Sequence, residues 1–202
     1  MHMASLKSRD GSMASRQRIV VPINEPQIPH SERIGGYSET IAVHEASHAV
    51  AHLAQRLHVR SVTLQPGYCD HGCVRPDSLT GNELFAHAVA TLAGPTAVRL
   101  LCPGEDDGGT GDEADALMLA KFATTDSASW ISGARDHARA LVIEHTAAIM
   151  GIGTALLDPG ALDYRQLRAL WFSIQHPAAA ALLADRERRA LRSRRGDHWR
   201  GY

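Results

Sequence analysis

Ile41-Ala42-Val43-His44-Glu45-Ala46-Ser47-His48-Ala49-Val50 decides how this 202-residue chain is read. Two histidines stand four apart, and a glutamate follows the first directly. In a helix, positions i and i+4 share a face one turn apart, so both imidazoles can reach one metal ion. Glu45 is rotated about 100° from His44, towards a water rather than towards the ion. The pattern is that of a zinc hydrolase: two nitrogen ligands, an open position and a general base. Ala42, Ala46, Ala49, Ala51 and Ala54, with Ile41, Val43, Val50 and Leu53, make the helix apolar nearly all round, which marks it as buried. Imidazoles and a carboxylate inside such a helix need partners, and a metal supplies one. His52 continues the four-residue spacing but stands roughly 12 Å along the axis from His44, too far to share its ion. The third ligand has to come from elsewhere in the chain.

Working outward, the length suits one domain with arms, and 44% hydrophobic residues suffice for a core. A net charge of -1 at pH 7 gives no argument for a nucleic-acid partner. Three cysteines, an odd number, fit a reducing compartment better than a disulfide framework, and we expect a cytoplasmic protein. No run of 18 apolar residues occurs, so neither a membrane span nor a signal peptide is expected.

Residues 1–17 read as an added leader, with a Gly11-Ser12 scar before Met13, and 18–36 as an extended arm containing Pro22, Pro26 and Pro29. The motif helix spans about Ser38 to Leu57. Val59 to Leu64 reads as a strand stopped at Pro66-Gly67, with a second extended piece near Cys73-Val74-Arg75. Together they predict a small sheet beside the helix, an edge on which an extended substrate can pair. Cys69-Asp70-His71-Gly72-Cys73 lacks a second ligand pair at usable spacing and reads as an ordinary hairpin loop. Thr80-Gly81-Asn82-Glu83 is a capping box opening a helix that Gly94-Pro95 interrupts before Leu101. Pro103 to Gly111 is an acidic, glycine-rich loop whose carboxylates read as solvated. Thr110-Gly111-Asp112-Glu113 is a second capping box. Asp112 and Glu113 are accounted for by the helix dipole there, and Asp115, one turn on, less well. A long amphipathic helix from Ser127 to Met150 should close at Gly151 and Gly153. Asp163 to Gln166 caps another helix through Ile174, and an arginine-rich helix and solvated tail follow.

Four of these stretches resemble the peptidase domain of the FtsH-type, ATP-dependent zinc metalloproteases. His44-Glu45-Ala46-Ser47-His48-Ala49 is similar to that family's His-Glu-Ala-Gly-His-Ala. Ser61 to Pro66 resembles its following strand, and Leu92-Ala93-Gly94-Pro95-Thr96-Ala97 stands where the family has Leu-Gly-Gly-Arg-Ala-Ala. Thr110-Gly111 with Asp115 matches Thr-Gly-Ala-Ser-Asn-Asp. The resemblance covers about Gly35 to Leu170, weaker at the closing helices (Ala138 to Leu141, Glu144-His145, Ala155 to Leu167). Ser47 replaces a glycine, and Val98-Arg99 replace two glutamates. No Gly-x-x-x-x-Gly-Lys-Ser/Thr loop occurs in these residues, so ATP-driven unfolding does not carry over.

The resemblance implies an α+β, mainly α-helical zinc metallopeptidase domain over 37–175, with 176–202 as the arginine-rich helix and tail. It implies zinc ligands His44, His48 and Asp115, with Glu45 as the general base. The expected activity is a stand-alone, ATP-independent zinc endopeptidase acting on unfolded or flexible polypeptides, met directly or through an adaptor protein. The alternative is a catalytically degenerate binding or regulatory module on the same fold. Family members form hexameric rings in which the ATPase ring contributes much of the assembly, so a homo-oligomer is left open.

Overall fold

The computed structural model describes residues 33–34, 37–65, 67–72 and 75–197. The leader and nearly all of the arm read from the sequence lie outside them. The architecture is mainly helical with a small antiparallel sheet. A short pair, β1 (Arg33–Ile34) with β2 (Tyr37–Ser38), leads into α1 (Glu39–Ala54). Then come β3 (Ser61–Leu64), β4 (Gly67–Asp70), α2 (Gly81–Leu101), α3 (Thr110–Ala123), α4 (Ser127–Glu144), α5 (Thr146–Leu156), β5 (Ala161–Asp163), α6 (Tyr164–Gln175) and α7 (Pro177–Asp197).

Helix α1 is the axis of the molecule. Ala46, Ala49, Val50 and Ala51 are fully buried, and α2, α5 and the sheet pack around it. Its small side chains let three layers approach at once. It ends in a left-handed turn at Arg56 (φ 58°): the Leu57 amide donates to the His52 carbonyl at 2.8 Å and the Arg56 amide to Leu53 at 3.2 Å. This double closure ends the helix three residues before the sequence suggested, without the glycine that usually occupies such a position.

β3 is the central strand, pairing Ser61 with Asp70 of β4 and with Asp163 of β5. The strand paired with β3 across the turn is Gly67–Asp70; Cys73 and Val74, where the sequence suggested a second extended piece, lie outside the described residues. β5 carries too few residues to show a period in the sequence. Its pairing brings Leu162 into the core beside Val62.

α2 passes unbroken through Gly94-Pro95. A proline removes one ladder bond and usually bends or ends a helix. Here Pro95 is fully buried, and the helix is held on both sides by neighbours. With a mean hydropathy of 1.4 over 18 residues α2 is apolar enough to cross a membrane, but 61% of that window is buried inside the fold. Its apolarity has a packing cause. Ala90, Ala93 and Ala97 face one core cluster with α1, α5 and the sheet, while Leu84, Ala88, Val89 and Leu92 face a second with α3 and α4.

The predicted 127–150 helix is two, broken at His145. Gly151 and Gly153 do not stop α5 but lie within it. A side chain on Gly153 would press on the Ala42 carbonyl at 3.3 Å, so glycine there allows α5 to close on α1. The capping boxes at Thr80 and Asp163 form as read.

Candidate metal centre

His44 and His48 project from one face of α1, and each ring is oriented by a backbone carbonyl. His48 Nδ1 donates to Ala90 of α2 and His44 Nδ1 to Asp107 of the following loop, both at 2.9 Å. Carbonyls only accept, so Nδ1 carries the proton, and in the neutral ring Nε2 keeps its lone pair. The two Nε2 atoms lie 3.0 Å apart. Asp112 Oδ2 closes the triangle at 3.1 Å from His44 and 3.6 Å from His48. A tetrahedral ion with bonds of ~2.0–2.1 Å has ligand–ligand edges of about 3.3 Å. The three atoms are therefore already spaced as ligands, and their second contacts fix them as metal-binding histidines are usually fixed.

Three elements converge to make this triangle. Gly94 faces both rings: a Cβ there would collide with His48 Nε2 and lie 2.7 Å from His44 Nε2. Gly109, the residue before α3, lies so close to Pro95 that any side chain would overlap it. Gly94-Pro95 is thus a seat, one residue facing the imidazoles and the next receiving the start of α3. That seat brings Asp112, in the first turn of α3, onto the histidines.

The carboxylate on the histidine pair is Asp112, where the sequence reading put Asp115. Asp115 lies one turn further along α3, outside the cluster, and desolvation by its neighbours together with the Asp112 charge pushes its carboxyl pKa up. The physical reason lies in the start of α3. Thr110 is inside the helix and Gly109 precedes it, with no side-chain cap. The expected capping box does not form because Glu113 is bound by Arg99 and Arg135. Positions 112 and 115 lie near one helix face, and the earlier one is nearer the seat.

The acidic loop is not simply solvated. Arg99 pairs with the Asp107 carboxylate, and Asp107 Oδ1 accepts from the Gly109 amide at 2.9 Å. The same residue's carbonyl holds His44. Arg99, one of the departures from the family pattern, is thereby linked to the centre. Ser47, another, donates its buried hydroxyl to the Val43 carbonyl at 2.6 Å and needs no further partner.

Charge at the centre is strongly coupled. Burial pushes the His48 pKa down, but the charge and hydrogen bond of Asp112, together with Glu45, raise it to about 9. Burial works against Asp112 too, yet His48 and His44 hold its carboxyl well below the usual range. Glu45 is buried at 7% exposure, and burial pushes its pKa up against the pull of His48 and His44. Its Oε2 has no hydrogen-bond partner among the described residues. Its Oε1 packs against Gly67 of β4, where a side chain would come within 3.0 Å. The His/Asp grouping can hold a metal ion, and its two imidazoles and one carboxylate suit zinc among others. No family model and no curated protein matches this chain.

Proposed function

We propose that the protein is a zinc-dependent endopeptidase of the kind its sequence resembles, the FtsH-type peptidase domain, working without ATP on unfolded or flexible polypeptide. The observation that carries this is Glu45: a buried carboxylate with an unused oxygen beside a preformed His44–His48–Asp112 triangle. A structural metal site has no use for such a group, because an orphaned buried oxygen costs stability. A peptidase has one, since the base must accept a proton where water attacks.

His44, His48 and Asp112 would hold the ion, which when bound supplies Lewis acidity towards a peptide carbonyl and brings the pKa of a water towards ~7. Glu45 takes the proton of the attacking water and delivers it to the departing amine. Its burial raises its basicity, which favours this exchange near neutral pH. Gly67 leaves its carboxylate room beside β4.

The test is casein hydrolysis by wild type and Glu45→Gln, with metal content measured on both. The expected result is a zinc-dependent activity that falls at least ~100-fold in the variant, the usual range for a general base, with zinc retained. Zinc bound by wild type with no hydrolysis of any unfolded substrate would instead support the degenerate binding module.

A further inference from the structure

Beyond the centre described above, three other histidines meet. His52 is in the last turn of α1, His71 follows β4, and His87 is in the second turn of α2. One ligand atom from each lies within 4.8 Å of the others. The His52 and His71 rings stack at 4.9 Å with their planes 15° apart, and His87 stands 5.7 Å from His52 and 6.0 Å from His71. His52 is 3% exposed. The Nδ1 atoms of His52 and His71 are both buried without a hydrogen-bond partner among the described residues.

From these residues we infer a second metal site, a three-histidine centre for a divalent transition-metal ion. Orphaned buried ring nitrogens cost stability unless a guest satisfies them. Among the described residues no carboxylate completes the cluster, so protonation would place a cation among rings with no acid inside the group. Asp70 and Glu83 are the acids whose charge acts on His71 and His87, and neither belongs to the group. Burial accordingly pushes all three rings towards the neutral form that binds metals, His52 to about 2. An all-nitrogen donor set excludes calcium and magnesium, which need oxygen, and suits zinc, cobalt, nickel or copper.

Closure is small. Tetrahedral edges of about 3.3 Å require the nitrogens to approach by no more than about 1.5 Å. His71, on a loop, and His87, half-buried on a helix surface, can supply that by side-chain rotation. Those two rings also line a cleft of about 520 Å³ together with Arg60 and Arg75. An ion held by these rings would border that cleft, whose arginines favour a small anion beside it. In the sequence, the cysteines around His71 are the local ligand candidates, and the segment reads as a hairpin loop. The partners are histidines from two helices, which no local spacing reveals.

The test counts ions on the full chain by mass spectrometry under native conditions, with Co²⁺ absorption as a second readout. Wild type should take up two Zn²⁺ or Co²⁺, and His87→Ala and His48→Ala one each. The remaining cobalt spectra of the two variants should differ and sum to that of wild type. His87 is chosen because it is half-buried; His71→Ala serves as the second variant should the first melt early. One ion in wild type, lost in His48→Ala and kept in His87→Ala, would overturn the second site while leaving the proposed peptidase centre intact. One ion lost only in His87→Ala would do the reverse.

Discussion

At the scale of single residues, the centre depends on which carboxylate of α3 is presented. Asp112 Oδ2 is 3.1 Å from His44 Nε2, while Asp115 is outside the cluster. Asp112→Ala should lose zinc from the His44–His48 centre, and Asp115→Ala should keep it, as metal analysis after dialysis will show. The reverse pattern would favour the ligand set implied by the sequence resemblance over the geometry of the triangle. The same residues set a pH dependence in the metal-free protein. Asp112 is held below its ordinary 3.8, so its contribution is present above that value and lost as the pH falls. His48 is raised from 6.5 to about 9, so its contribution is complete below 6.5 and lost as the pH rises through about 9. The chelated protein should therefore melt at lower temperature at pH 9.5 than at pH 6, and His48→Gln should flatten that fall. What was legible here follows from range. His44, Glu45 and His48 sit within five residues, where helix geometry alone aligns them. The choice between Asp112 and Asp115 depends on Gly109 touching Pro95, a contact between separate elements.

Elements were legible where their signals are local. Thr80 and Asp163 cap their helices because the reciprocal bonds need only four residues. Thr110 carries the same pattern and fails, because Arg99 and Arg135 reach Glu113 from other helices. The glycines of α5 and the Gly94-Pro95 pair of α2 looked like breaks and are close-approach surfaces. Such tertiary demands leave no mark that distinguishes them in a single sequence. The loop from Pro103 to Gly109 illustrates the consequence. Arg99 fixes Asp107, and Asp107 fixes the ring of His44. Groups that orient a ligand in this way are worth ~10–100-fold in metal affinity. Arg99→Ala should weaken zinc binding by that order in competition with a chelator, while Arg135→Ala, which reaches only Glu113, should change it little. Equal losses would show that the effect is general to the start of α3 and does not pass through Asp107.

For the whole molecule, two core clusters meet along α2, and the candidate centre sits where α1, α2 and α3 converge. Stability and site geometry are therefore supplied by the same helices, and the C-terminal helix stands apart from both. Between Pro177 and Arg189 no residue of α7 is buried, and Leu182 is 73% exposed. Its ion pairs, Asp185 with Arg188 and Arg189, are internal and exposed, a kind of pair that contributes little. Its packing partner is α6, which itself buries only Leu167. A chain ending at His176 should thus bind zinc as the full chain does, and should lose no more than about 1 kcal/mol, equivalent to a few degrees of melting temperature. Loss of zinc on that truncation would mean that α7 supports α1 through α6. The seat at Gly94-Pro95 would then need the whole helical stack, and not only α1 to α3, to hold Asp112 on the histidines.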